Sequence, residues 1–208
     1  MKIQSTYRYV ICLLLIAIAS PFFSHEGHGQ RINFSTWTGS EDIQITSVMA
    51  SPTLDFNQKQ SIILPNSSAI SINLTDMAAI AFAIEAPENF DLTVEVDAPA
   101  VLTLDSDPSK TIPFQIRMAY NNLMASDENS GKTSAIELPT GFYNVTFPVN
   151  RRSSGAPGPP PTPLSGSEVR NKAKAFFYLY GNLGPIGSVP AGDYTGTITL
   201  NVFFSSYD

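Results

Sequence analysis

YTGTITLNVFFSSYD, residues Tyr194 to Asp208, alternates Tyr194, Ile198, Leu200, Val202 and Phe204 with Thr195, Thr197, Thr199 and Asn201. Side chains of a strand point to opposite faces in turn, so this period of two predicts a half-buried β-strand. Such a strand presents a row of unpaired N–H and C=O groups along each open edge. It has to pair with an earlier segment of the chain or with another molecule, because an exposed apolar edge templates aggregation.

Outward from that strand the same rhythm recurs. Ala78 to Ile84 places Ala78, Ile80, Phe82 and Ile84 on one face, and Phe90 to Val96 does so with Phe90, Leu92, Val94 and Val96. The turn residues Ala86-Pro87-Glu88-Asn89 between them predict a hairpin. Phe114 to Tyr120 (Phe114, Ile116, Met118, Tyr120) and Tyr143 to Val149 (Tyr143, Val145, Phe147, Val149) repeat the pattern. Further candidates are Ile43 to Val48, Leu54 to Phe56, Ile62 to Leu64, Ala69 to Leu74, Val101 to Leu104 and Ala173 to Tyr180. Long amphipathic helical arrays are missing. Short strands separated by turn signals predict an all-β fold, an immunoglobulin-like antiparallel β-sandwich with Greek-key connections. A β-barrel is the competing architecture.

The N-terminus predicts export. Lys2 and Arg8 precede the apolar run Tyr9 to Phe23, which Pro21 interrupts. That run is short for a membrane span, which takes roughly 20 apolar residues, and it has the form of a signal-peptide core. Gly27 and Gly29 fit the small-residue positions before a cleavage site, so residues 1–29 read as a signal peptide and Gln30 as the mature start, with an uncleaved anchor as the alternative. On this reading no membrane span remains after signal removal.

Removing the leader removes Cys12, His25 and His28, the only cysteine and the only histidines. Residues 30–208 then hold no thiol and no imidazole, which excludes disulfides, thiolate nucleophiles, histidine general bases and histidine-ligated metals. No catalytic set and no cofactor is expected. His25-x-x-His28 could offer two metal ligands if cleavage fell earlier. Losing Lys2 and Arg8 from the 12 basic residues and Glu26 from the 18 acidic ones takes the formal charge from −6 to −7. With no basic stripe the chain has nothing to attract a phosphate backbone, so no nucleic acid partner is expected.

Residues 30–208 suit one domain. Ser153 to Ser167, SSGAPGPPPTPLSGS, is too rich in proline to be a central strand and reads as a loop inserted between two strands. Asp105-Ser106-Asp107 and Asp127-Glu128-Asn129 carry oxygens that calcium could use, but neither completes a calcium loop, and turn chemistry accounts for both. Gly181, Gly184 and Gly187 do not make a phosphate loop, because Pro185 interrupts them. Trp37, with Phe34 nearby, could stack on a sugar or pack onto the sandwich.

Val189-Pro190-Ala191-Gly192-Asp193-Tyr194-Thr195-Gly196, continuing through Val202, resembles the closing "AGxYxGxxxxxV" strand of secreted bacterial pilin-like domains. These are the spore coat protein U/secreted pilin family and related Gram-negative domains of unknown function. Ala175-Phe176-Phe177-Tyr178-Leu179-Tyr180-Gly181 resembles their penultimate strand and Leu54-Asp55-Phe56 their early Leu-x-Phe, with Asn57 where a glycine usually follows. Tyr207 is similar to the penultimate tyrosine that pilin subunits present to a chaperone.

The resemblance implies an immunoglobulin-like sandwich in the periplasm or on the outer surface of a Gram-negative cell, either complete in itself or lacking a strand that like subunits or a periplasmic chaperone supply. Ile198, Leu200, Val202, Phe204 and Tyr207 would then form the acceptor side. Ile32 and Phe34, followed by Ile43, Ile45 and Val48, would be donor residues, unless Ile43 to Val48 is the protein's own first strand. A secreted structural protein is one functional expectation. A carbohydrate- or ligand-binding module presenting Trp37, Tyr178 or Tyr180 is the other.

Overall fold

A computed structural model describes residues 31–38 (backbone only), 43–50, 52–60, 63–88, 90–151 and 171–205. Among them the strands are β1 (Arg31–Thr38), β2 (Gln44–Ser47), β3 (Thr53–Asp55), β4 (Ile70–Ile72), β5 (Ile80–Pro87) and β6 (Asp91–Asp97). They continue with β7 (Val101–Leu104), β8 (Asp107–Asn121), β9 (Ile136–Glu137), β10 (Asn144–Pro148), β11 (Lys172–Leu183) and β12 (Tyr194–Phe204); one helix, α1 (Glu128–Thr133), lies between β8 and β9. The Pro-rich insertion falls outside the described residues.

The strands make a two-sheet all-β sandwich of the immunoglobulin-like kind. One sheet runs β3, β1, β12, then β6 and β7 end to end, then β10 beside β6. The other runs β2, β5, β11, β8 and β9, with β4 beyond the end of β5 on the same edge of β11. β8 belongs to both. Its first half pairs with β7, and from Phe114 onward it pairs with β11. The change of sheet falls at Pro113, which has no N–H to give to a ladder. There the Phe114 N–H donates to the Ala100 carbonyl (2.9 Å) and the Gly184 N–H to the Pro113 carbonyl (2.7 Å), so both sheets hold the corner. Among the described residues β10 and β2, the two ends of the strand order, do not pair with each other, so the sheets do not close into a barrel there.

The interior follows the alternation read from the sequence. Leu92, Val94, Leu102, Ile112, Phe177, Leu179, Ile198 and Leu200 are all buried in one apolar cluster. Tyr120 of β8 stacks on Phe147 of β10 across the two sheets, centroids 4.3 Å apart. Gly181 of β11 is the register partner of Ile116 of β8, and a Cβ there would collide with the Gln115 carbonyl oxygen.

Three local expectations are corrected. β5 and β6 are not a hairpin: β5 has β2 and β11 as neighbours, β6 has β10 and β12, and the chain crosses between sheets after Pro87. Both faces of β5 bear buried residues, so alternation alone misassigned its partner. Ile63 and Leu64 are not in a strand, because Pro65 and the left-handed Asn66 (φ 61°) turn the chain there, leaving Leu64 exposed; Ile62 lies outside the described residues. Tyr143, placed by its spacing on the buried face of β10, is 46% exposed.

The helix was not legible. Six residues are too few to show a helical period. Asp127, read as turn chemistry, is its N-cap and accepts from the N–H groups of Asn129 (3.0 Å) and Ser130 (2.8 Å). The helix forms a third layer over β11. Tyr178 donates through its hydroxyl to the Glu128 carbonyl (3.0 Å), and Asn121 Nδ2 donates to the Gly131 carbonyl (2.9 Å). Lys132 is buried, with Nζ donating to the Asp76 carbonyl at 2.9 Å, and desolvation lowers its pKa.

Candidate functional site

β12 carries the residues the sequence singled out. Ile198, Leu200 and Val202 point into the core and are buried, and Phe204 is half-buried against the Phe90 ring, centroids 4.9 Å apart. Tyr207 lies outside the described residues. One edge of β12 is taken by β6 and β7 in antiparallel register. The other edge is taken by β1 in parallel register, Arg31 opposite Thr195 and Thr38 opposite Asn201, with an irregularity between Phe34 and Thr36.

This is the one parallel pairing among the described strands, and parallel ladders are slightly weaker per residue. β1 gains little on its far side, where only Arg31 to Asn33 pair with β3. Ile43 and Ile45 are not on this edge. They belong to the other sheet, where Ile45 faces Ile84 of β5 and both isoleucines are buried. The structure therefore separates the proposed donor residues into two groups: Ile32 and Phe34 lie beside β12, while Ile43 and Ile45 fill the chain's own core.

The entry to β12 explains the spacing A-G-x-Y-x-G. Tyr194 is buried, and its hydroxyl donates to the Pro190 carbonyl four residues upstream (2.9 Å), the device of a tyrosine corner in sandwich folds. Thr195 then donates through Oγ1 to Asp105 Oδ1 at 2.6 Å, which ties β12 to the β7–β8 turn. Gly196 lies where a Cβ would come within 2.8 Å of Leu102 Cδ2 and 3.0 Å of Pro99 Cγ. Asp105-Ser106 is the two-residue turn, and Asp107, which opens β8, is held below its ordinary pKa by the Ser109 hydroxyl and backbone N–H.

Two aromatics expected to meet a ligand do not. Tyr178 and Tyr180 are fully buried, with the Tyr180 hydroxyl donating to Glu137 Oε2 (2.7 Å) and the Arg117 guanidinium 5.1 Å from the centre of its ring. Burial raises the pKa of both. Residues 173–180 offer a strand, and nothing in them announces the α1 layer that packs on Tyr178. The Trp37 side chain lies outside the described residues. Among the described residues no group of three or more His, Cys, Asp or Glu could share a metal ion, and no helix is long and apolar enough to cross a membrane.

No protein-family model and no curated protein matches the chain. Among solved structures it is similar to the CooA pilin subunit from enterotoxigenic Escherichia coli, at 13% sequence identity and a TM-score of 0.30, over 78% of this chain and 99% of that one.

Proposed function

We propose that the protein is a secreted, non-catalytic structural subunit of a bacterial cell surface, pilin-like in its last strands, and that β1 is the strand its copies exchange. On this reading residues 1–29 are a cleaved leader, residues 30–208 are one sandwich domain with a Pro-rich surface loop, and the partners are like subunits, with a periplasmic chaperone before assembly.

The supporting observation is the position of β1. It is the described element nearest the leader, it lies parallel on the edge of β12, and the next described strand, β2, lies on the opposite sheet. A second copy's β1 offers the same main-chain groups and the same alternate side chains, so exchange between copies costs little in contacts. The core residues Ile43 and Ile45 stay at home in this scheme, which leaves the acceptor folded while it waits.

Residues 30–208 contain no cysteine, so an engineered pair reports the exchange cleanly. Asn33 and Thr197 are register partners. Oxidising the double variant Asn33→Cys, Thr197→Cys under assembly conditions should give a ladder of disulfide-linked multimers on a denaturing gel. A product that is cross-linked only within single chains would overturn the proposal.

A further inference from the structure

The outer face of the first sheet carries a cleft that the assembly edge does not use. Its volume is about 420 Å³, within the roughly 300–1,000 Å³ usual for small-molecule sites. It exists because β6 and β7 together are longer than the stretch of β12 they accompany. Asp97 faces Thr199 and Thr103 faces Thr195, so six steps on one strand run beside four on the other. The slack falls at residues 98–100, where Ala98 and Ala100 line the cleft and take up little of its space.

The side chains around it form a defined set. Asn144 of β10, Glu95 of β6 and Asn201 of β12 are register partners in one row across three strands, and each occupies an outward position. Asp97 lies two residues along on the same face, and Tyr143 stands at the rim, its carbonyl accepting from the Val96 N–H at 2.8 Å. Glu95, Asp97 and Asn144 are exposed, and none of their side chains is engaged by a hydrogen bond or ion pair among the described residues. No lysine or arginine is among the described residues that line the cleft.

We propose that this cleft binds an uncharged pyranose sugar, with the Tyr143 ring against the sugar's C–H face and Glu95, Asp97 and Asn144 bonding its hydroxyls. A carboxylate accepts from hydroxyl pairs in charge-assisted bonds, and an amide both donates and accepts, as a polyol requires. A cation would have no use for the amide donors. An anionic ligand would meet two carboxylates without a compensating base. An exposed tyrosine supplies a flat apolar face with a polar tip.

Saturation-transfer NMR on the purified protein with glucose, galactose, mannose, N-acetylglucosamine and sialic acid tests this. Transfer is expected to at least one of the four uncharged sugars and not to sialic acid. Tyr143→Ala and Glu95→Gln should each weaken the Kd by about tenfold or more, Tyr143→Phe should retain binding, and thermal midpoints should not move, since these positions are exposed. No transfer to any uncharged sugar overturns the proposal, as does equal transfer to sialic acid. Binding that survives both Tyr143→Ala and Glu95→Gln places the sugar elsewhere and overturns it too.

Discussion

The Tyr194 hydroxyl donates to the Pro190 carbonyl at 2.9 Å, closing the loop that delivers the chain to its last strand. The tyrosine ring is buried while Pro190 is exposed, so the acceptor can return to water if the hydroxyl is removed. Tyr194→Phe should therefore cost only about 1 kcal/mol, the net worth of an ordinary hydrogen bond. Urea unfolding of the two proteins measures it; a loss of several kcal/mol would mean the hydroxyl does more than close the loop.

Two glycines should differ in what they tolerate. At Gly196 a Cβ meets the tip of Leu102 and the ring of Pro99, which can shift, whereas at Gly181 it meets the Gln115 backbone carbonyl of a paired strand. Gly196→Ala should fall at the low end of the roughly 1–3 kcal/mol typical of overpacking, and Gly181→Ala at or above the high end. Equal denaturation midpoints for the two variants would contradict this.

Alkaline stability follows from buried phenols. Tyr178, Tyr180 and Tyr194 all have pKa values raised by burial above the ordinary 10.0. Above that pH the unfolded chain gives up protons that the folded chain still holds, so stability falls as pH rises through and beyond 10.0. The phenolate absorbance of these three tyrosines should appear only together with loss of near-ultraviolet circular dichroism. Their ionisation ahead of unfolding would show the interior to be open to water.

Acid acts in part through Asp76. Its carboxylate bridges Lys59 Nζ at 2.8 Å and accepts from the Asn73 N–H at 2.7 Å, and these partners, Lys59 first, hold its pKa below the ordinary 3.8. The contribution is present above 3.8 and is lost as pH falls through the lower folded value. Asp76→Asn should be less stable than wild type at neutral pH, and the gap should close between about pH 5 and pH 2. A gap unchanged over that range would remove the carboxylate's charge from the explanation.

Much of the fold was legible in local pattern. Period-two alternation located β6, β10 and β12 to within a few residues, and the second half of β8, whose first seven residues precede Phe114, because a strand with one face in a core must alternate. The turn at Asp105-Ser106 was legible from residue type alone. The β5–β6 hairpin was misread because nearness in sequence favours pairing only when both strands have a free edge in the same sheet. The cleft was invisible, since Glu95, Asp97, Asn144 and Asn201 are unremarkable as sequence and meet only through register.

The sequence by itself determined that residues 30–208 lack thiol and imidazole, that the chain is acidic, and that its apolar residues are spaced for strands, since these depend only on residue type and order. Tertiary structure alone decided which edge of β12 β1 occupies, and in which direction. It also put Tyr178 and Tyr180 beneath the residues that follow β8. Pairing and layering are set by contacts between residues far apart in the chain, and local periodicity carries no record of who the neighbour is.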